Sequence, residues 1–195
     1  MHADSAALLD VMVASLQANR GNEDGLGWLG YGVAELFGPD GELKQAVVFK
    51  NLITTAGDQY YTQKGIVGIA PANATAPTPA NGMKLGTSSA AVTKSGAGAA
   101  LGTYASGSNL AFDATFPQAA AKGGDTGWNA TYKSTWGTGV ATANGLNEVV
   151  IVNDAASNAT TSAANTICRA LLSPVVNKGA SDTLAVTWVH TALGA

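Results

Sequence analysis

The sequence is short of the residues that most site chemistry needs. It has one cysteine, Cys168, and two histidines, His2 and His190, in 195 residues. A single cysteine excludes an intrachain disulfide framework, and Cys168 reads as a small buried hydrophobe. Neither histidine has a cysteine or carboxylate at metal-ligand spacing, so no structural zinc site is expected. Charge is scarce as well: 12% of residues are charged, 10 basic against 13 acidic, for a formal net charge of -3. So few bases, thinly spread, cannot form the basic stripe that neutralises phosphates, and nucleic acid is not an expected partner. Long apolar runs are also missing. The hydrophobic fraction of 46% is swollen by alanine, and no stretch approaches the about 18 consecutive apolar residues of a membrane span. The N-terminus lacks the basic flank and continuous apolar core of a signal peptide, so a soluble chain without its own export address is expected.

Catalytic patterns are absent in the same way. There is no G-x-S-x-G elbow and no G-x-x-x-x-G-K-[ST] loop. Gly96-Ala97-Gly98-Ala99-Ala100-Leu101 imitates a dinucleotide fingerprint, but Leu101 stands at the third small position and no strand-helix-strand frame surrounds it. Glu23-Asp24 lacks the spacing of a calcium loop and reads as a solvated joint. The N-x-[ST] triplets at Asn73, Asn129 and Asn158 are what an Asn/Thr-rich chain contains in the absence of a signal peptide. Asp58, Asp113, Asp125, Glu148, Asp154 and Asp182 are scattered and read as turn or exposed-strand residues. No catalytic, metal-binding or cofactor-binding residue is assigned, and the chain is expected not to be an enzyme.

What is present is a set of alternating strands separated by small residues. In residues 1–27, Asp4 or Ser5 caps a helix on which Leu8, Met12 and Leu16 share a face with Leu9 and Val13 beside them, and Gly21 stops it. Tyr31, Val33, Glu35 and Phe37 alternate up to the turn Gly38-Pro39-Asp40-Gly41, and Leu43, Val47 and Phe49 lie on a return strand. Asn51 to Lys64 reads as a helix capped by Asn51 and weakened by Gly57. Segments 70–82 and 95–109, rich in Pro, Asn, Ala, Gly and Ser, read as extended surface loops. Four strands follow: Trp128 to Trp136, with Trp128, Ala130, Tyr132, Ser134 and Trp136 on one face; Glu148 to Asn153; Thr166 to Leu172; and Thr183 to His190, with Leu184, Val186 and Trp188 on one face. The last should be central. Turn-rich connections favour antiparallel pairing, so the expected fold is mainly β with a few helices: an antiparallel β-sandwich, jelly-roll or immunoglobulin-like. An N-terminal helical arm, 1–27, would precede a β-rich domain, 28–195.

Several runs carry a family resemblance. They are Met83-Lys84-Leu85-Gly86-Thr87, Lys94 to Leu101 with Thr103-Tyr104, Thr131 to Trp136, Asn147 to Asn153, and Arg169 to Leu172 followed by Lys178 to Trp188. Over residues 43–195 this pattern resembles virion structural proteins of tailed double-stranded DNA bacteriophages, which decorate the capsid, act as minor capsid proteins or belong to the tail. The resemblance implies a non-catalytic particle component that bridges neighbouring capsid subunits, with the major capsid protein and copies of itself, as in a trimer, for partners. It implies a place on the virion after synthesis in the host cytoplasm, without choosing between capsid and tail; the capsid surface is the leading expectation. No site residues come with it. The contact candidates from the sequence are Leu8, Met12, Leu16, Pro77 and Pro79, together with exposed strand edges; the first three would otherwise close the chain's own core. A minor tail or fibre-associated protein is one alternative. Another is a carbohydrate-binding module using Trp128, Trp136 or Tyr132 as stacking platforms.

Overall fold

The structure, a computed structural model, describes residues 28–65, 78–121 and 127–192. The described chain is mainly β. Its elements are β1 (Trp28–Phe37), β2 (Leu43–Lys50), β3 (Leu52–Ile53), α1 (Thr55–Gly65), β4 (Gly82–Gly86), a 3-10 turn (Gly96–Ala99), β5 (Leu110–Ala111), β6 (Gln118–Ala121), β7 (Trp128–Trp136), β8 (Ala143–Val152), a second 3-10 turn (Ala163–Asn165), β9 (Thr166–Lys178) and β10 (Thr183–Ala192). They form two antiparallel five-stranded sheets, one ordered β2-β1-β10-β7-β6 and the other β3-β9-β8-β4-β5. The sandwich is the expected one. β10 is the middle strand of the first sheet, as its Leu184, Val186 and Trp188 alternation predicts, and all three side chains are buried.

Paired residues share a face, so the register identifies the packed side of each sheet. Leu36, Ala34 and Gly32 stand opposite Leu184, Val186 and Trp188, which stand opposite Trp136, Ser134 and Tyr132 on β7. These meet Met83, Leu85, Val149, Ile151, Ile167, Cys168, Ala170 and Leu172 from the second sheet in one core. Phe49 packs edge-on against Trp188 with ring centroids 4.9 Å apart. Each such large side chain contributes roughly 1.5–3 kcal/mol by burial.

The second sheet is covered on its outer side too. Val150 and Val152 point away from the main core and pack with Leu101 and Ala155, with Tyr104 against them. This explains why Val149-Val150-Ile151-Val152 is continuously apolar where β7 and β10 alternate: a strand buried on both faces has no solvent side.

One loop expectation is corrected. Segment 95–109 is no free surface loop: it contains the first 3-10 turn, and Tyr104 forms a bridge with Gly86. Of the stretch expected to be loop at 70–82, residues 70–77 lie outside the described residues, 78–81 are irregular as expected, and Gly82 already belongs to β4.

The helix also starts later than Asn51. Leu52 and Ile53 pair with Arg169 and Cys168, so the chain crosses between sheets before it coils. Thr54 is the residue at the helix entry: its Oγ1 accepts from the Gly57 amide at 3.0 Å and donates to carbonyls of Thr166 and Ile167. A β-carbon on Gly57 would stand 2.1 Å from the Ile167 carbonyl oxygen and 2.7 Å from Ile53 Cγ2. Glycine is therefore required for close approach to β9. Helix propensity alone would make Gly57→Ala stabilising by about 1 kcal/mol, but overpacking against backbone costs roughly 1–3 kcal/mol. The variant is expected to be less stable than the parent in urea unfolding; a gain in midpoint would mean that α1 slides freely on β9.

Candidate functional site

Most described groups capable of chemistry are used internally. Glu148 and Arg169, on neighbouring strands, both point to the outer side of the second sheet and have no exposed side-chain surface. Arg169 donates from Nε to Glu148 Oε2 at 2.8 Å and from its terminal nitrogens to the carbonyls of Ala90, Ala91 and Gly98. Glu148 accepts from the amides of Ser88 at 3.1 Å, Gly102 at 3.0 Å and Thr103 at 2.8 Å. The pair thus clamps residues 88–103 onto the sheet. Lys84 does similar work nearby, with Nζ 3.0 Å from Asp154 and from the Ala159 carbonyl. At the far end Lys178 donates to carbonyls of Gly137 and Asp182, while Lys44 and the Gly179 amide hold the Asp182 carboxyl below the usual carboxylate range. Glu148 is a fully buried strand residue, which corrects the reading of it as a turn or exposed-strand residue, whereas Asp182 lies in the turn between β9 and β10 as expected and is buried there.

The second cluster lies between α1 and the first sheet. His190 is wholly buried, and Tyr61 Oη contacts its Nδ1 while Asn51 Nδ2 lies 3.3 Å from Nε2. Tyr61 Oη is also 3.1 Å from Tyr132 Oη. These contacts join Asn51, His190, Tyr61 and Tyr132 in one hydrogen-bonded chain whose donor and acceptor roles follow the imidazole tautomer. Gly30 makes room for this amide, because a β-carbon there would overlap Asn51 Oδ1. Burial lowers the His190 pKa to about 3 and raises those of Tyr61, Tyr132 and Cys168. All four groups are therefore neutral near neutrality. A buried neutral network of this kind fixes α1 against the sheet and offers no ionised base or nucleophile to a substrate.

Among the sequence-chosen contact residues, Pro79 is exposed in the stretch entering β4. Leu8, Met12, Leu16 and Pro77 lie outside the described residues. The proposed stacking platforms divide: Trp136 and Tyr132 are buried, with Trp136 Nε1 donating to the Ser108 carbonyl at 2.7 Å, whereas Trp128 is 61% exposed. Trp28, Ala192, Trp128 and Ala121 form one row across four adjacent strands. Residues 1–27, 122–126 and 193–195 all join the fold at this row. The Pro79 stretch reaches the same end, since Asn81 is hydrogen-bonded to Val152, the last residue of β8. The opposite end is closed by the tight connections 38–42, 137–142 and 179–182.

Sequence reasoning missed the Glu148–Arg169 clamp and Asn51. The signal for the first was Arg169 itself, a charge inside the apolar run Ile167-Cys168-Arg169-Ala170-Leu171-Leu172, which demands a buried partner. Among the described residues, no group of three His, Cys, Asp or Glu side chains could hold a metal ion, and no helix is long and apolar enough to cross a membrane. Compared with known proteins, the chain matches no family model, no curated protein and no solved structure.

Proposed function

We propose that this chain is a non-enzymatic structural component of a tailed-bacteriophage virion that decorates the capsid shell and bridges neighbouring capsid subunits. The observation that carries the reading is the asymmetry of the sandwich. One end is closed by tight turns, while the other gathers an exposed tryptophan, the Pro79 stretch and the points where residues 1–27, 122–126 and 193–195 join. The buried clusters support the same reading, because they spend the charged and titratable groups on rigidity. A rigid body presenting one end to a repeating lattice works through many weak contacts at high effective concentration.

Particles made without this chain decide the matter. Loss of surface density from the shell, with a copy number on the scale of the shell subunits in gel densitometry, is the expected result. An unchanged shell with an altered tail, or a low copy number, would replace it with the minor tail reading. Exposed Trp128 favours one second reading, a carbohydrate-binding module. It requires glycan-array binding that Trp128→Ala abolishes while the fold still melts cooperatively.

A further inference from the structure

Among the described residues the two sheets have four edge strands, and they differ in how they are guarded. Edges expose unpaired amides and carbonyls that invite another strand, and proteins blunt them with charge, bulges or extreme shortness. β3 and β5 are two residues long. β2 carries exposed Lys44 and Lys50, and its pairing with β1 is interrupted by a register shift at Leu36/Phe37. β6 has neither charge nor bulge. Its residues Gln118, Ala119, Ala120 and Ala121 are all exposed, and they pair in unbroken antiparallel register with β7 alone among the described residues.

Side-chain size adds to this. Ala119 and Ala121 share a face with Ala130 and Trp128, so the 61% exposed Trp128 stands beside a strip of alanines too small to cover it. The other face, Gln118 and Ala120 beside Thr131 and Asn129, is polar but uncharged. A strand laid along β6 would meet no charge from β6 itself and would narrow the exposed surface around Trp128.

We propose that β6 is a self-association edge, pairing antiparallel with β6 of a second copy so that the first sheets of two chains join across a two-fold axis. Antiparallel pairing of a strand with itself is self-complementary, which is the requirement of an isologous contact. The low net charge of -3 per chain sets only a small electrostatic barrier. Four residues per copy form a small contact, so the dimer is weak and concentration-dependent. The inference does not depend on the virion reading: it is a property of the free chain, and either can fail while the other stands.

Sedimentation equilibrium of the full chain tests it. A reversible dimer is expected, weakened at least about tenfold by the pair Ala119→Lys/Ala120→Lys, which puts like charges on both faces of the new ladder whatever its register. Ala119→Ser/Ala120→Ser should leave the dimer intact. A chain monomeric up to about 1 mM, an odd-numbered assembly, or a dimer indifferent to the lysine pair overturns the proposal. Should the lysine pair fail to fold, hydrogen exchange on the unmodified chain decides: outward amides of β6 become protected as concentration rises, and protection independent of concentration overturns it.

Discussion

Arg169→Ala is expected to lower the unfolding free energy by about 3–5 kcal/mol, the range for a buried ion pair that loses one partner. The truncation removes more than a charge. It leaves the Glu148 carboxylate in a site with no exposed surface, and it strips donors from the carbonyls of Ala90, Ala91 and Gly98. Three backbone amides still point at Glu148 and offset part of the loss, which favours the lower half of the range. Glu148→Ala has the mirror effect, with a guanidinium stranded and those amides unpaired. Urea unfolding measures both, and limited proteolysis locates the damage: cleavage should appear first within residues 88–103, the segment the pair holds down. The double variant Glu148→Leu/Arg169→Met should unfold later than either truncation, because it removes the stranded charge, yet residues 88–103 should remain sensitive. If Arg169→Ala costs less than about 1 kcal/mol, a typical neutral hydrogen bond, the clamp assignment is wrong.

The contrast between what the sequence discloses and what it hides follows from range. β1 and β2 are legible because their alternation flanks a turn, Gly38 to Gly41, whose residue types specify its geometry; β7 and β10 are legible because each has one dry and one wet face. The Asn51 helix start was misplaced because a local capping preference competes with pairing to Arg169 and Cys168, residues more than a hundred positions away. The Gly96–Ala99 region reads as a surface loop because its own side chains supply almost no burial. Its anchors are Glu148 and Arg169, which lie outside it in sequence. β6 was invisible for a related reason, since Gln-Ala-Ala-Ala has little strand propensity and its order derives from β7. Pro79 is exposed as expected, and Trp128 is the single exposed member of the three aromatic platforms because alternation predicts a face but not where the opposing sheet stops.

Lowering the pH from 7 to 5 is expected to cost this protein about 2 kcal/mol through His190 alone. The imidazole is wholly buried, and burial depresses its pKa to about 3, against about 6.5 in an unfolded chain. Among the described residues, the groups facing it are the Tyr61 hydroxyl, the Asn51 amide and the Tyr132 and Trp188 rings, and none of these is a carboxylate that would favour the imidazolium. Below pH 6.5 the unfolded chain takes up a proton at this position that the folded chain refuses, so stability is fully present above 6.5 and is lost as the pH falls toward 3. Asp182, whose carboxyl is held below the usual range, also loses stability on acidification, but in a lower window beneath about pH 4. Of these two groups, only the histidine contributes a slope between pH 7 and 5. Urea titrations at the two pH values should show the about 2 kcal/mol difference in the parent and little of it in His190→Gln, whatever the variant's stability at pH 7. Tyr61→Phe separates the causes. It removes the hydroxyl but keeps the ring that excludes water, so the pH difference should survive in that variant; its disappearance would mean that hydrogen bonding rather than burial holds the imidazole neutral.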